Sequence, residues 1–310
     1  MNMFQMTDFR FHICWQRWNA WWFRDAPPHA TALFRIFFGL SLLIYYAVQI
    51  PQVPMLLSRE GLAIPYDLWL PENLRFLLTP LPLWGATILF ALLLLSIFTL
   101  IIGCAARTSA WVVLLLTLYC NLLSFHNSST SYNRLFLFFT FLLCISDAAG
   151  KAFSWQMWRT HGSFLAWEPG SILTQRLVTV QLTATYLGVG LQKLWLPGWE
   201  DGKVLFYSFQ GMWATPLAFW FAHQQFPMWV YDGITLIVKA FEVALPFGLW
   251  IRKVRPWFFL GGLLFHAGVA LFLAAIWWFF PMPLAYLLLY EPEEVAATLE
   301  RLRRRILPTV

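Results

Sequence analysis

The sequence predicts an all-α integral membrane protein, a polytopic bundle of about eight transmembrane helices with its N-terminus in the cytoplasm. Hydrophobic residues make up 60% of the 310 residues, charged residues make up 12%, and the mean hydropathy is +0.62. Soluble domains carry about 25% charged residues. Because half of that charge cannot cover a water-facing surface of this size, the composition argues against a soluble enzyme, a disordered tail and a nucleic-acid-binding protein.

The second observation is a series of apolar runs, each close to the length of about 20 residues that crosses a bilayer. The fourth and the last runs are short, and the last contains Pro281 and Pro283, which allow a re-entrant segment. The predicted spans lie near residues 30–50, 83–104, 109–126, 133–148, 175–194, 228–251, 256–276 and 277–290.

The third observation, the placement of lysine and arginine, sets the orientation. With the N-terminus inside, most of the 21 lysines and arginines fall in cytoplasmic segments, and the predicted outer loops hold Arg59, Arg75, Arg134 and Lys203. This asymmetry follows the positive-inside rule and explains the pI of 9.3 without a nucleic-acid patch. An even number of spans keeps the basic C-terminal segment inside as well.

Three segments follow from this pattern. Residues 1–28 interleave tryptophans with arginines at helical spacing, which is typical of an amphipathic helix at the membrane interface. Residues 29–293 form the transmembrane domain, and residues 294–310 form a basic cytoplasmic tail. Neither the cysteines nor the histidines cluster at the spacing of metal ligands, so no metal site is predicted.

The fifth predicted span carries the first candidate functional residue, Lys193, at its outer end. Tyr186, Gly190 and Lys193 fall at i, i+4 and i+7 and therefore share a helical face. Gly190 permits close approach by a neighbouring helix. Two interpretations stay open: a lysine that extends its amine to the headgroups, and a desolvated lysine whose neutral amine can accept a proton.

Charged groups inside a bilayer are costly, so the other intramembrane ionisable residues are also functional candidates. Lys239 and Glu242 lie three residues apart on the sixth span and can pair with each other. His266, at the centre of the seventh span, is expected to hydrogen-bond a neighbouring helix. Arg35 lies near the cytoplasmic end of the first span, and snorkelling of its side chain explains that position.

Two stretches of the chain resemble a known family. Residues 181–202 read QLTATYLGVGLQKLWLPGWEDG, and residues 32–46 read ALFRIFFGLSLLIYY. The family pattern of Gln, Tyr, Gly-x-x-Lys-Leu and Trp-x-x-Gly is matched by Gln181, Tyr186, Gly190, Lys193, Leu194, Trp199 and Gly202. Together with Glu242 and His266, these residues resemble the horizontally transferred transmembrane (HTTM) domain of the vitamin K-dependent γ-carboxylase-like superfamily. The resemblance covers residues 28–293.

The resemblance implies that Lys193 is the base that deprotonates vitamin K hydroquinone. In the carboxylase, oxygen then converts the quinol into a strong base that removes a γ-proton from a peptide glutamate, and carbon dioxide adds. The implied cofactors are therefore reduced vitamin K or another quinol, with O2 and CO2 and without a metal. The implied cofactor-binding residues are Gln181, Tyr186, Gly190, Asn133, Glu242 and His266.

The chain departs from the carboxylase pattern in two respects. Where the carboxylase has a histidine before its fourth span, this chain has Tyr132 and Asn133. We also expect no counterpart of the large lumenal domain that recognises the carboxylase substrate. A peptide or small-protein substrate is therefore expected to bind to a partner or to the loops 51–82 and 195–227.

Three functions are predicted as alternatives. The first is a quinol-dependent carboxylase or epoxidase, a lyase-type membrane enzyme whose lysine base faces the outer side. The second is a non-catalytic membrane partner in peptide or toxin maturation, export or immunity. The third is a transporter that uses Lys239, Glu242 and His266 as a relay. The expected location is the cell membrane, in particular a bacterial inner membrane, and the expected partner is the lipid bilayer rather than a nucleic acid.

Overall fold

The chain folds into two compact, mainly helical units. The computed structural model describes residues 15–66, 71–128, 130–274 and 282–306. The first unit comprises Met1–Leu177 and Glu291–Val310, and the second comprises Val178–Tyr290.

The first unit contains most of the short and long helices and the only paired strands among the described residues. Its helices are α1 (15–23), α2 (His29–Ala47), α3 (Val53–Leu57), α4 (Leu83–Ile102), α5 (Ala106–Leu123), α6 (Phe125–Ser128), α7 (Ser131–Cys144), α8 (Trp155–His161) and α14 (Pro292–Ile306). Short 3-10 helices cover Ile50–Gln52 and Glu72–Leu78. The two-residue strands β1 (Asp25–Ala26) and β2 (Gly170–Ser171) pair antiparallel.

The core of the first unit lies where α2, α4, α5 and α7 pack against one another. Phe34 and Phe38 of α2 meet Phe136 and Phe139 of α7 there, and all four side chains are buried. The Phe34 and Phe139 rings meet edge to face at 5.4 Å, a favourable arrangement for two aromatic side chains. Phe34 and Phe38 are four residues apart and Phe136 and Phe139 three apart, so each pair lies on one face of its helix and these two faces meet.

Arg35 corrects one prediction. Its side chain is fully buried in the first unit and does not extend to a surface. The guanidinium donates to the backbone carbonyls of Ala149 at 2.5 Å, Phe153 at 2.6 Å and Ile101 at 3.3 Å. The snorkelling interpretation was wrong because these carbonyls, left free where α4 ends and in the loop 146–153, supply better partners inside the protein.

Gly103 leaves room for the Arg35 clamp, the three hydrogen bonds that the guanidinium donates to backbone carbonyls. It ends α4 with φ of +70°, a left-handed conformation in which glycine closes many helices. A Cβ at this position would lie 2.6 Å from Arg35 Nη1 and 2.5 Å from Ser154 Cβ. Glycine is therefore required at this turn both for its backbone conformation and for the space that the guanidinium occupies.

The second unit is built on three long helices. They are α9 (Leu173–Trp195), whose first residues belong to the first unit, α12 (Met228–Trp250) and α13 (Arg255–Phe272). Between α9 and α12 lie the short helices α10 (Lys203–Ser208) and α11 (Pro216–His223), and a 3-10 helix covers Met282–Leu289. Buried aromatic and aliphatic residues of this connection pack around Tyr231 of α12, chiefly Phe209 and Ala218.

Five helices among the described residues are long and apolar enough to cross a membrane, namely α2, α4, α5, α12 and α13. The predicted span at 133–148 corresponds to the shorter apolar helix Tyr132–Cys144. The predicted span at 175–194 lies in α9, which has 23 residues but is not among the five. Of the predicted span at 277–290, residues 277–281 lie outside the described part of the chain. The total of eight spans stays a prediction.

Candidate functional site

A buried ion pair joins two helices of the second unit. Lys193 Nζ of α9 lies 2.6 Å from Glu242 Oε1 and 2.5 Å from Glu242 Oε2 of α12. The lysine side chain is 15% exposed and the glutamate side chain 7% exposed. The two groups are therefore held against each other with little access to their surroundings.

Gly190 allows α9 and α12 to approach closely enough for this pair to form. A Cβ at Gly190 would lie 2.9 Å from the Val243 backbone nitrogen and 3.0 Å from the Glu242 carbonyl carbon. By contrast, a Cβ at Gly188 would meet nothing within 4 Å. The predicted close approach at Gly190 is confirmed, and it occurs one turn before Lys193 on the same face.

Trp199 covers the amine from a second direction. The Lys193 Nζ lies 4.4 Å from the centroid of the Trp199 ring, within the range of a cation–π interaction. The carbonyl of the same tryptophan accepts a hydrogen bond from Lys239 Nζ at 2.8 Å. The pairing of Lys239 with Glu242 that their spacing allows does not form, since Lys239 binds the Trp199 carbonyl and Glu242 binds Lys193.

The loop that carries Trp199 is fastened to α12 a few residues further on. The Gly202 backbone N–H donates to Asp232 Oδ1 at 2.6 Å, and Gly202 is itself buried. A Cβ at Gly202 would lie 2.4 Å from the Tyr231 carbonyl carbon, so the backbone approaches more closely than any other residue would allow. Gly202 thereby holds the end of this loop in a fixed register on α12, three residues after Trp199.

A second polar chain runs through the second unit. Tyr286 Oη donates to Tyr186 Oη at 2.6 Å, and Tyr186 Oη is 2.7 Å from His266 Nε2. A Cβ at Gly262 would lie 2.4 Å from the Tyr286 ring, so this glycine leaves the space that the ring fills on α13. The expectation that His266 hydrogen-bonds a neighbouring helix is confirmed, with Tyr186 of α9 as the partner.

Two further hydroxyls, those of Tyr231 and Thr235, are buried without a hydrogen-bond partner in the described part of the chain. Both lie on the buried face of α12 that also carries Glu242. Leaving a buried hydroxyl unpaired is costly to the folded state.

Two of the predicted cofactor-binding residues are placed elsewhere. Gln181 donates to Thr185 Oγ1 of its own helix at 3.1 Å, and it lies about 18 Å from Lys193 along α9. Asn133 belongs to the first unit, where it is buried and its Nδ2 donates to the Ser128 carbonyl at 3.0 Å. The remaining four, Tyr186, Gly190, Glu242 and His266, lie in the second unit with Lys193, as does Gln181.

Two aromatic residues of this cluster, Trp199 and Tyr286, were not among the predicted site residues. Trp199 belongs to the quoted Trp-x-x-Gly motif, and its spacing of six residues from Lys193 was the available signal. Tyr286 lies far along the chain in a short 3-10 helix, where no local pattern connects it to Tyr186. Its role follows only from the tertiary structure.

The side chains at this site can take part in proton transfer. A lysine, a carboxylate, two phenols and an imidazole lie within one unit, and each can accept or give a proton. No group of three or more histidine, cysteine, aspartate or glutamate residues in the described ranges could hold a metal ion. Cys104, Cys120 and Cys144 are free thiols.

The fold and this cluster define a helical membrane protein with a buried lysine–glutamate pair beside a tyrosine–histidine chain. The chain belongs to the HTTM domain family, since the model of that family matches residues 23–293, most of its length. Comparison with curated proteins and with solved structures finds no match.

Proposed function

We propose that the protein is a membrane-embedded enzyme that oxidises a quinol with O2, and that Lys193 removes the proton of the quinol hydroxyl. The observation that carries this proposal is the enclosed amine of Lys193, with the Glu242 carboxylate on one side and the Trp199 ring on the other. The proposal includes the peptide-modifying half of the reaction that the family resemblance implies, in which CO2 is added to a glutamate.

The surrounding residues suit a flat aromatic ligand with hydroxyl groups. Trp199 offers an aromatic face, and its ring centroid lies 4.4 Å from the Lys193 amine. Trp199 and Lys193 would hold the quinol head. The quinol would supply the reducing power, since one quinol and one O2 give one quinone epoxide and one water.

Glu242 is the acceptor for the proton that Lys193 must lose before it can act as a base. The distances of 2.5 and 2.6 Å let this proton pass without a bridging water. Transfer removes two opposite charges from a poorly solvated site, where charged groups are costly. The neutral amine then takes the proton of a hydroxyl whose pKa, like that of a phenol, is about 10, and the restored ammonium stabilises the oxyanion beside it.

Orientation and location belong to the same proposal. We place the N-terminus of the chain in the cytoplasm and the Lys193 end of α9 toward the outer side of a bacterial inner membrane. The support for this arrangement is the excess of lysine and arginine in the segments assigned to the cytoplasm. The additional spans beyond the five apolar helices are assigned to α7, α9 and the region before Tyr290.

The test is epoxide formation by the purified protein supplied with vitamin K hydroquinone and O2. We expect Lys193→Ala to lower the rate of epoxide formation at least about 100-fold, the usual contribution of a general base. Lys203→Ala is the matched control, because that lysine is 64% exposed and pairs only with Asp201 among the described residues. Thermal unfolding of each variant separates loss of chemistry from loss of fold.

Equal epoxide formation by wild type and Lys193→Ala would overturn the proposal, and so would a folded wild type that forms none. In the second case, copurification with a small secreted peptide would favour the non-catalytic maturation partner. The transporter alternative, a relay of Lys239, Glu242 and His266, stays a prediction, and it requires transport that is lost in Glu242→Gln.

A further inference from the structure

The C-terminal helix α14 has an apolar stripe that is buried at the start of the helix and exposed at its end. Val295, Leu299, Leu302 and Ile306 follow one another at spacings of four, three and four residues and therefore line one face. Val295 is buried, Leu302 is 47% exposed and Ile306 is 73% exposed. The first turn of the stripe packs on the protein, and the last two turns have their apolar side chains uncovered.

The exposed end of this helix is strongly basic. Arg301, Arg303, Arg304 and Arg305 lie in the last two turns and are all exposed. Glu300 alone supplies a carboxylate there, and it pairs with Arg304 at 3.0 Å and with Arg303 at 3.7 Å. The helix therefore ends in an apolar stripe with an excess of positive charge around it.

The other end of α14 is fastened where the first candidate span begins. Arg24, which precedes the first residue of α2 by five positions, binds Glu293 at 2.5 Å and Glu291 at 3.3 Å. Glu291 also binds Arg176, whose side chain is 4% exposed, at 2.9 Å. Because α2 is long and apolar enough to cross a membrane, these ion pairs hold α14 at the level where the chain leaves the bilayer.

We propose that the last two turns of α14 bind the surface of an anionic lipid bilayer. Leu302 and Ile306 lie between the headgroups, and the four arginines contact lipid phosphates. Amphipathic helices with arginine-rich polar faces bind membranes in this way, and each basic residue near an anionic surface strengthens binding about fivefold. The partner is thus a lipid with net negative charge, distinct from the substrate of the site in the second unit.

A second copy of the chain fits this surface less well. Two exposed turns offer far less than the area of about 800 Å² that each partner buries in a stable interface. A side-by-side pairing of two such ends would also bring arginines of like charge together. Charge and area therefore both favour the lipid surface.

The experiment compares amide hydrogen exchange of residues 299–306 in full-length protein reconstituted in two kinds of nanodisc. One contains phosphatidylcholine alone, and the other contains phosphatidylcholine with one quarter phosphatidylglycerol. We expect exchange to be at least about fivefold slower in the anionic nanodisc, and the difference to shrink in high salt. Arg303→Glu/Arg304→Glu should abolish the difference, whereas Arg59→Glu, a charge reversal at another exposed arginine, should preserve it.

Equal exchange in the two nanodiscs would overturn the proposal. Protection that is independent of lipid charge but rises with the number of protein copies in each nanodisc would also overturn it, in favour of a contact between copies. Leu302→Ser/Ile306→Ser tests the apolar part separately, and we expect it to reduce the protection while leaving the salt dependence in place.

Discussion

The Lys193 ammonium and the Glu242 carboxylate form a two-oxygen contact that joins α9 to α12, at distances of 2.5 and 2.6 Å. Both side chains are largely buried, so each is the other's main compensation for lost hydration. Such a pair fixes the relation of the two helices that carry it.

The first prediction concerns the energy of this pair. Removing one partner of a buried pair costs about 3–5 kcal/mol, because the other charge stays buried alone. We expect Glu242→Gln and Lys193→Met each to lower the free energy of unfolding by about 3 kcal/mol, near the lower limit because Lys193 keeps some exposure. The double variant should cost clearly less than the sum of the two, as measured by denaturant unfolding in detergent. Additive effects would show that the two groups do not interact.

The second prediction uses two glycines on the same helix. Gly190→Ala places a Cβ 2.9 Å from the Val243 nitrogen, so α9 and α12 must separate and the contact between Lys193 and Glu242 must lengthen. Gly188→Ala meets open space and should stabilise the helix by about 0.5–1 kcal/mol. Thermal unfolding should therefore shift in opposite directions for the two variants. A similar shift for both would mean that helix propensity alone determines the stability of the two variants.

Gly190 and Lys193 show how much of the candidate site can be predicted from the sequence. The spacing of Tyr186, Gly190 and Lys193 identified a shared face of α9 and the close approach at the glycine. It did not identify the partner of Lys193, because spacing along one helix is informative only about neighbours on that helix. Lys239 was three residues from Glu242 and could have paired with it, yet a residue from α9 reaches the carboxylate instead.

The fold, like the site, was predictable from the sequence only in part. Apolar runs predicted α2, α4, α5, α12 and α13 because length and hydropathy are local properties of a sequence. They did not predict that Arg35 is buried, since its partners are backbone carbonyls more than 60 positions away in the chain. Charge at the end of an apolar run is compatible with both snorkelling and burial, and only the tertiary structure separates them.

The third prediction concerns the clamp that Arg35 makes. Hydrogen bonds from a charged group contribute about 1.5–3 kcal/mol each, so we expect Arg35→Met to destabilise the first unit by at least about 3 kcal/mol. Arg35→Lys keeps the charge but lacks the planar fork that reaches carbonyls on separate segments, and it should restore only part of the loss. Gly103→Ala should mimic Arg35→Met, since its Cβ would occupy the place of Nη1. Unfolding of each variant, followed by circular dichroism, measures these differences.

The fourth prediction concerns the chain from Tyr286 through Tyr186 to His266. Tyr286→Phe removes the donor to Tyr186 and leaves the ring in place, so we expect a loss of about 1 kcal/mol in the free energy of unfolding. Tyr207→Phe is the control, since that side chain is 66% exposed and its hydroxyl is accessible to water. If the two variants unfold alike, the hydrogen bond between the two tyrosines contributes nothing measurable.

The fifth prediction concerns the pH dependence of the contact between α14 and the segment before α2. The hydrogen bond from Arg24 holds the pKa of Glu293 below its ordinary value of about 4.5. A carboxyl whose pKa is lowered by folding stabilises the folded state above its ordinary pKa, and that contribution is lost as the pH falls through the lowered value. The first turns of α14 should therefore detach from Arg24 as the pH falls below the ordinary glutamate pKa of about 4.5, and they should remain attached at neutral pH.

The effect should be small, because Glu293 and Arg24 are 54% and 34% exposed and water screens their interaction. Amide exchange of the first two turns of α14, corrected for the intrinsic pH dependence of exchange, provides the measurement. Arg24→Gln should remove the pH dependence and give fast exchange throughout, whereas Arg59→Gln should leave the wild-type profile. A wild-type profile in Arg24→Gln would mean that another group fastens the helix, and Arg176, which also binds Glu291, would then be the residue to change.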